Sequence, residues 1–155
     1  MNKHLLSNLN FSAPLVKIHY RRPHIDSMLQ LKSEHETIAV IRDLVNPDRI
    51  DLKEYFWVLL LSRANRLLGT AEICMGKLNC TTVDVREIFQ LALLTNAAHI
   101  ILVHNHPSGS LKPSESDIAI TRKIAEFGKI IDVKILDHII ISSESHRSIP
   151  SVDYT

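Results

Sequence analysis

Residues 98–117, AHIILVHNHPSGSLKPSESD, constrain this chain more than any other stretch. They open on an apolar run, 98–103, interrupted once by His99, which reads as a buried strand. Side chains at i and i+2 of an extended chain share a face. His104 and His106 therefore aim their imidazoles at one point just past the strand's end. Pro107, Gly109 and Pro113 mark a loop, and Ser114 is placed to cap a helix. Asp117 falls in that helix's first turn, where the dipole favours a carboxylate and the side chain can swing back to the histidines. Two imidazoles and one carboxylate converging on a loop make a three-ligand zinc site with its fourth position open to water, the pattern of catalytic sites.

The spacing His-x-His, ten residues, then Asp, with a serine three before that Asp, resembles the JAMM (MPN-plus) metalloprotease signature. The wider wording His-Asn-His-Pro-Ser-Gly, followed by Pro-Ser, Asp and the downstream Leu136-Asp137-His138-Ile139-Ile140, is similar to the bacterial RadC-like branch. The resemblance spans roughly residues 51–142. It implies a JAMM/MPN-like, cytidine-deaminase-like architecture with Zn2+ held by His104, His106 and Asp117. It also implies that Ser114 hydrogen-bonds the developing oxyanion, and that a glutamate at the mouth of an upstream strand is the general base. Glu54, directly before Tyr55-Phe56, best matches that placement. Glu72, inside the next strand, is its rival, and Glu87 is a weaker one because it already serves as a cap partner. Arg86 resembles half of an Arg-Glu pair of the RadC-like branch, where it reads a substrate carboxylate or braces the fold.

Taken in order, residues 1–32 form an N-terminal extension, and 33–155 the domain that carries the resemblance. Residues 14–20 alternate loosely and suit an edge strand, free to add to a partner chain in a homodimer. Ser33 and Glu36 have the form of a capping box. Ile38, Ile41, Leu44 and Val45 then recur at helical spacing until Asn46-Pro47. Tyr55–Leu61 is the most apolar run and reads as a central strand. Leu67–Met75 reads as its partner after a turn at 63–66, with Gly69 at a bulge. Asp84 and Glu87 open a second helix whose inward face is Ile88, Leu91, Ala92 and Thr95, ended by Asn96. The helix from Glu115 presents Ile118, Ile120, Ile124, Ala125 and Phe127, and Gly128 suits its end. Residues 131–136 and 138–141 read as two short strands around Asp137, with His138 either behind the site or simply buried and hydrogen-bonded. This succession predicts an α/β fold, a mixed β-sheet flanked by helices. The metal loop lies at the carboxyl end of a strand, where such sheets place their sites.

With 155 residues, 45% of them hydrophobic and 23% charged, the chain suits one ordinary globular domain. No apolar run is long enough to span a bilayer, and no signal peptide opens the chain, so a cytoplasmic location and no membrane partner are expected. Cys74 and Cys80 have no zinc-ribbon spacing and read as small apolar residues in a reducing compartment. The leading expectation is hydrolysis of a peptide or isopeptide bond in a peptide or protein substrate. The alternative is the DNA-repair or DNA-processing role traditionally attached to RadC-like proteins. A net charge of +1 gives little pull toward phosphate, and there is no room for the helix-hairpin-helix segment of full-length members, so this is read as a short form. The letters His-Asn-His do not make an HNH nuclease, whose residues are dispersed through a ββα-metal unit. Zinc deamination lacks its His-x-Glu and Pro-Cys-x-x-Cys elements. A third reading is a binding scaffold without catalysis, although all three ligand positions are filled. Asn105, between the histidines, departs from the serine usual in deubiquitinating members, which argues against a ubiquitin-type substrate.

Overall fold

A computed structural model describes residues 19–75 and 83–153. The predicted edge strand at 14–20 lies almost wholly outside them, as do Cys80 and the side chain of Cys74. Three helices, α1 (Glu34–Leu44), α2 (Val85–Thr95) and α3 (Glu115–Ile130), flank one sheet. Its strands are β1 (Tyr55–Leu61), β2 (Leu67–Met75), β3 (His99–Asn105), β4 (Lys134–Ile141) and β5 (His146–Ser148), in the spatial order β2-β1-β3-β4-β5. Only the β3–β4 pair is parallel, and α3 makes its crossover. The sheet is therefore mixed and flanked by helices, as the sequence predicts.

Every residue of β1 is buried because helices cover both faces of the sheet. Phe56, Val58, Leu60, Ile100, Leu102 and Ile140 pack with Ile88, Phe89 and Ala92 of α2 and Ile124 of α3. Tyr55, Trp57, Leu59, Leu61, Ile101, Val103 and Ile139 pack with Ile41 of α1 on the other face. Ser33 and Glu36 form the expected capping box of α1. Asp84 caps α2 through the Arg86 N–H, and Asn96 closes it in the left-handed region at φ 53. The β1–β2 register skips Leu68, beside the Gly69 where a bulge was expected. Ahead of α1, Gln30 bridges Arg66, and Met28 and Leu31 are buried, so this part of the N-terminal segment packs on the sheet.

Three local expectations are corrected. Residues 131–136 and 138–141 do not form two strands; β4 runs unbroken through Asp137. Asp137 is tolerated there because Oδ1 accepts from the His138 N–H and Oδ2 from the Ser148 hydroxyl, each at 2.7 Å. Gly128 does not end α3 but is buried inside it, where a Cβ would run into the Val133 carbonyl. The chain turns later, through Asp132 at φ 56. Phe127 is half exposed, its ring tilted against Phe89 of α2 rather than buried in the core, whereas Thr121, absent from the expected inward face, is fully buried.

Candidate metal centre

The β1–β3 register pairs Phe56 with His104, so both side chains lie on the α2/α3 face. His104 is 1% exposed, and its ring is stacked on Phe56 with an interplanar angle of 13°. His106 stands just past β3, half buried, and its ring centroid is 4.8 Å from that of His104. Asp117 reaches the same place from the first turn of α3. There Ser114 and Asp117 make a reciprocal capping box: the Asp117 N–H donates to Ser114 Oγ, and the Ser114 N–H donates to Asp117 Oδ2 at 2.7 Å. The cap that starts the helix thus also fixes the carboxylate. His104 Nε2 lies 3.1 Å from His106 Nε2 and 3.3 Å from Asp117 Oδ1, and His106 Nε2 lies 3.3 Å from Asp117 Oδ2.

These separations fit a metal. Tetrahedral zinc, with bonds of about 2.0–2.2 Å to nitrogen and oxygen, sets its ligand atoms roughly 3.3–3.5 Å apart. The other ring nitrogens are already engaged: His106 Nδ1–H donates to the Ser110 carbonyl at 2.8 Å, and His104 Nδ1 meets His138 Nε2 at 2.8 Å. A neutral imidazole carries one proton. With that proton on Nδ1, both Nε2 lone pairs point toward the carboxylate, and three electron-rich atoms crowd together unless a cation lies between them. In the metal-free protein a proton can substitute. The hydrogen bond to Asp117 holds His106 above its ordinary pKa, against its partial burial. Burial opposes ionisation of Asp117, but His104, His106 and Ser114 outweigh it and hold the carboxyl far below the usual range. Among the described residues, this is the one group of three histidine, cysteine or acidic side chains placed to hold a metal ion.

The remaining predicted residues are placed as follows. Glu54 immediately precedes β1 and is partly buried. Extending the antiparallel register two pairs beyond Phe56–His104 sets it opposite His106, whose pKa its charge helps raise. Glu72 pairs with Trp57 and so lies on the α1 face, away from the histidines, where it borders Tyr55 and Trp57. Glu87 and Arg86 are exposed in the first turn of α2. Ser114 is exposed, and its hydroxyl proton is directed at Asp117 Oδ2 at 2.7 Å. Asn105 points to the opposite face from the histidines: Oδ1 accepts from the Tyr55 N–H, and Nδ2 donates to the carbonyls of Ile50 and Lys53. It therefore clamps the turn that delivers Glu54.

Sequence reasoning passed over Thr121. Its hydroxyl donates to the Asp117 carbonyl and contacts His138 Nδ1. The available signal was its spacing: Thr121 is four residues after Asp117, hence on the same face of α3.

The family described as RadC-like JAB domain matches residues 31–153 of the chain. A UPF0758 protein of Flavobacterium johnsoniae is 40% identical over 132 residues, covering 83% of this chain and 56% of that protein. One of Desulforamulus reducens is 43% identical over 123 residues, 75% of this chain and 54% of its own length. One of Geotalea uraniireducens is 50% identical over 96 residues, 62% of this chain and 42% of its own. The chain thus spans about half the length of these relatives.

Proposed function

The chain belongs to the RadC-like JAB domain family, and on that membership and the geometry of its three converging side chains we propose that it is a zinc-dependent hydrolase of peptide or isopeptide bonds, acting in the cytoplasm. The observation that carries this reading is the electron-rich triangle of His104 Nε2, His106 Nε2 and an Asp117 carboxylate, with edges of 3.1 to 3.3 Å. Such a triangle suits a cation, and three protein ligands leave a coordination position for chemistry.

His104, His106 and Asp117 would hold zinc, which when bound supplies a Lewis acid and lowers the pKa of water from 15.7 to about 7. Glu54 belongs to none of the ligand positions and stands next to His106. Its carboxylate takes the proton from the attacking water and returns it to the leaving amine, so one group serves as base and then acid. Ser114 turns its hydroxyl from Asp117 Oδ2 toward the oxygen that gains negative charge; loss of such a donor typically costs about 2.7–4 kcal/mol in the transition state. Asn105 keeps the Glu54 turn in register with β3, holding the base near the ligands.

Zinc content and hydrolysis of a peptide library, read on three proteins, test the proposal. Wild type is expected to hold one zinc per chain and to cleave. Asp117→Ala should lose both. Glu54→Gln should keep its zinc and lose hydrolysis by roughly 10²–10⁴-fold, the usual range for a general base. Zinc retained at full stoichiometry in Asp117→Ala would rule out the site, and undiminished cleavage by Glu54→Gln would rule out the base.

A further inference from the structure

We infer that His138 and Thr121 are positioning residues that hold His104 in its Nδ1–H tautomer, leaving Nε2 open toward Asp117 and His106. The inference follows from proton counting along a buried chain of four groups. The Asp117 carbonyl can only accept, so the one Thr121 hydroxyl proton is donated to it. Thr121 Oγ1 must then accept from His138, which puts a proton on His138 Nδ1. His138 is fully buried on the α2/α3 face, in edge contact with Phe56, with His104 and Thr121 as its hydrogen-bond partners. No carboxylate among the described residues pairs with its ring, so an imidazolium there would be an uncompensated buried charge and the ring is neutral. Its Nε2 is consequently an acceptor, and the 2.8 Å contact with His104 requires the proton on His104 Nδ1. The protonation of His104 is thus decided three groups away, at a helical carbonyl.

Backbone geometry independently favours this design. The β3–β4 register passes from Ile100–Ile135 directly to Ile101–Asp137, so Leu136 is an extra residue. Leu136 and Asp137 both lie on the α1 side, where they border the same cavity. The bulge therefore reverses the alternation of β4 and turns His138 onto the face that carries His104. Without it, strict alternation from Ile135 would direct His138 to the α1 side. The chain also joins two candidate ligands on separate elements: His104 of β3 is linked through β4 to the backbone of Asp117 in α3.

The consequence for metal affinity rests on the zinc reading; the tautomer does not. The test uses the metal-free full chain at alkaline pH, raised until the histidine ring resonances stop shifting, and reads the ring nitrogens of His104 by long-range ¹H–¹⁵N correlation. Wild type and Thr121→Ser, which keeps the hydroxyl, should both show His104 protonated on Nδ1. In Thr121→Val the hydroxyl is gone, His138 is released to carry its proton on Nε2, and His104 should switch to Nε2–H. Zinc titration should then show Thr121→Val weakened roughly 10–100-fold, the usual effect of removing a group that orients a ligand. Thr121→Ser should remain close to wild type. A wild-type His104 protonated on Nε2 would overturn the inference, as would an unaltered tautomer or, in a zinc-binding wild type, unaltered zinc affinity in Thr121→Val. If wild type binds no zinc, the functional reading fails and the spectra alone decide the tautomer. If Thr121→Val does not fold, the wild-type spectrum still decides it.

Discussion

Asn105 sits between the two histidines in sequence yet works on the other face of the sheet. Its amide is buried and uses both Nδ2 protons and Oδ1 on the backbone of the 50–55 turn. A buried polar group left without its partner costs about 1–3 kcal/mol. Asn105→Ala strands three such groups, and part of that loss is recovered by water. We expect a destabilisation of about 2–4 kcal/mol in urea unfolding, with zinc stoichiometry kept and hydrolysis reduced because the Glu54 turn loosens. A variant as stable as wild type would remove the clamp from the account. Asp137 is the opposite case, a partly buried group held at a penalty. Burial raises its pKa; hydrogen bonds from Ser148 and the His138 N–H, and the nearby His146, act the other way, while Glu34 adds to the rise. The folded state therefore binds this proton more tightly than the unfolded chain does. Its contribution is most favourable below the unfolded value of about 3.9 and is lost as pH rises through the raised folded value. Asp137→Asn keeps an acceptor for the His138 N–H and removes the partly buried charge. It should be more stable than wild type at neutral pH, and the difference should shrink on acidification. A less stable Asn variant at neutral pH would mean that the carboxylate's hydrogen bonds outweigh its desolvation.

At the scale of elements, β1, β2 and β3, the capping box of α1, the Ser114 cap of α3 and the loop that brings Asp117 back to the histidines were all legible, because each is written in a contiguous run, whereas the box expected of Asp84 and Glu87 is replaced by a single cap in which Asp84 accepts from the Arg86 N–H. Apolar periodicity, a Ser with an acid three residues on, and Gly or Pro at a turn are local signals. What was not legible depends on residues that meet only in the fold. Asp137 looks like a strand breaker until Ser148, eleven residues on, supplies its hydrogen bond. Thr121 and His138 are seventeen residues apart; His138 lies in the Leu136–Ile140 wording, but nothing in the sequence joins it to Thr121, which has no motif of its own. Gly128 looks like a helix terminator, but its purpose is contact: the Val133 carbonyl, on the chain returning into β4, passes where a side chain would begin. Gly128→Ala separates these interpretations. Helix propensity alone predicts a gain of about 1 kcal/mol. Forcing a methyl against backbone predicts instead a net loss of roughly 1–3 kcal/mol. The obstacle is a main-chain oxygen that cannot change rotamer, so we expect the loss, read as a lower denaturation midpoint. A rise would return Gly128 to the role of terminator.

At the scale of the whole molecule, the candidate ligands tie the end of β3 to the start of α3, and the His138 chain ties both to β4. A cation bound there acts on the folded state alone, since the unfolded chain does not assemble the triangle. Such linkage adds about 2.7 kcal/mol when free zinc is a hundredfold above the dissociation constant. For a chain of this size, that corresponds to a rise in Tm of roughly 5–11 °C. Asp117→Ala is an ambiguous control, because it also removes one half of the α3 capping box, the acceptor for the Ser114 N–H, and so lowers Tm without any metal. Asp117→Asn resolves the two effects. The amide oxygen can still accept from the Ser114 N–H, so the capping box is kept. The charge that His104, His106 and Ser114 stabilise is lost, so metal-free Tm should fall, and the loss of the anionic ligand should abolish most of the zinc-dependent rise. The decisive quantity is that increment, measured for each variant against its own metal-free state. An increment equal in wild type and Asp117→Asn would place any bound zinc elsewhere on the molecule and leave the triangle of His104, His106 and Asp117 as a proton-bridged structural cluster.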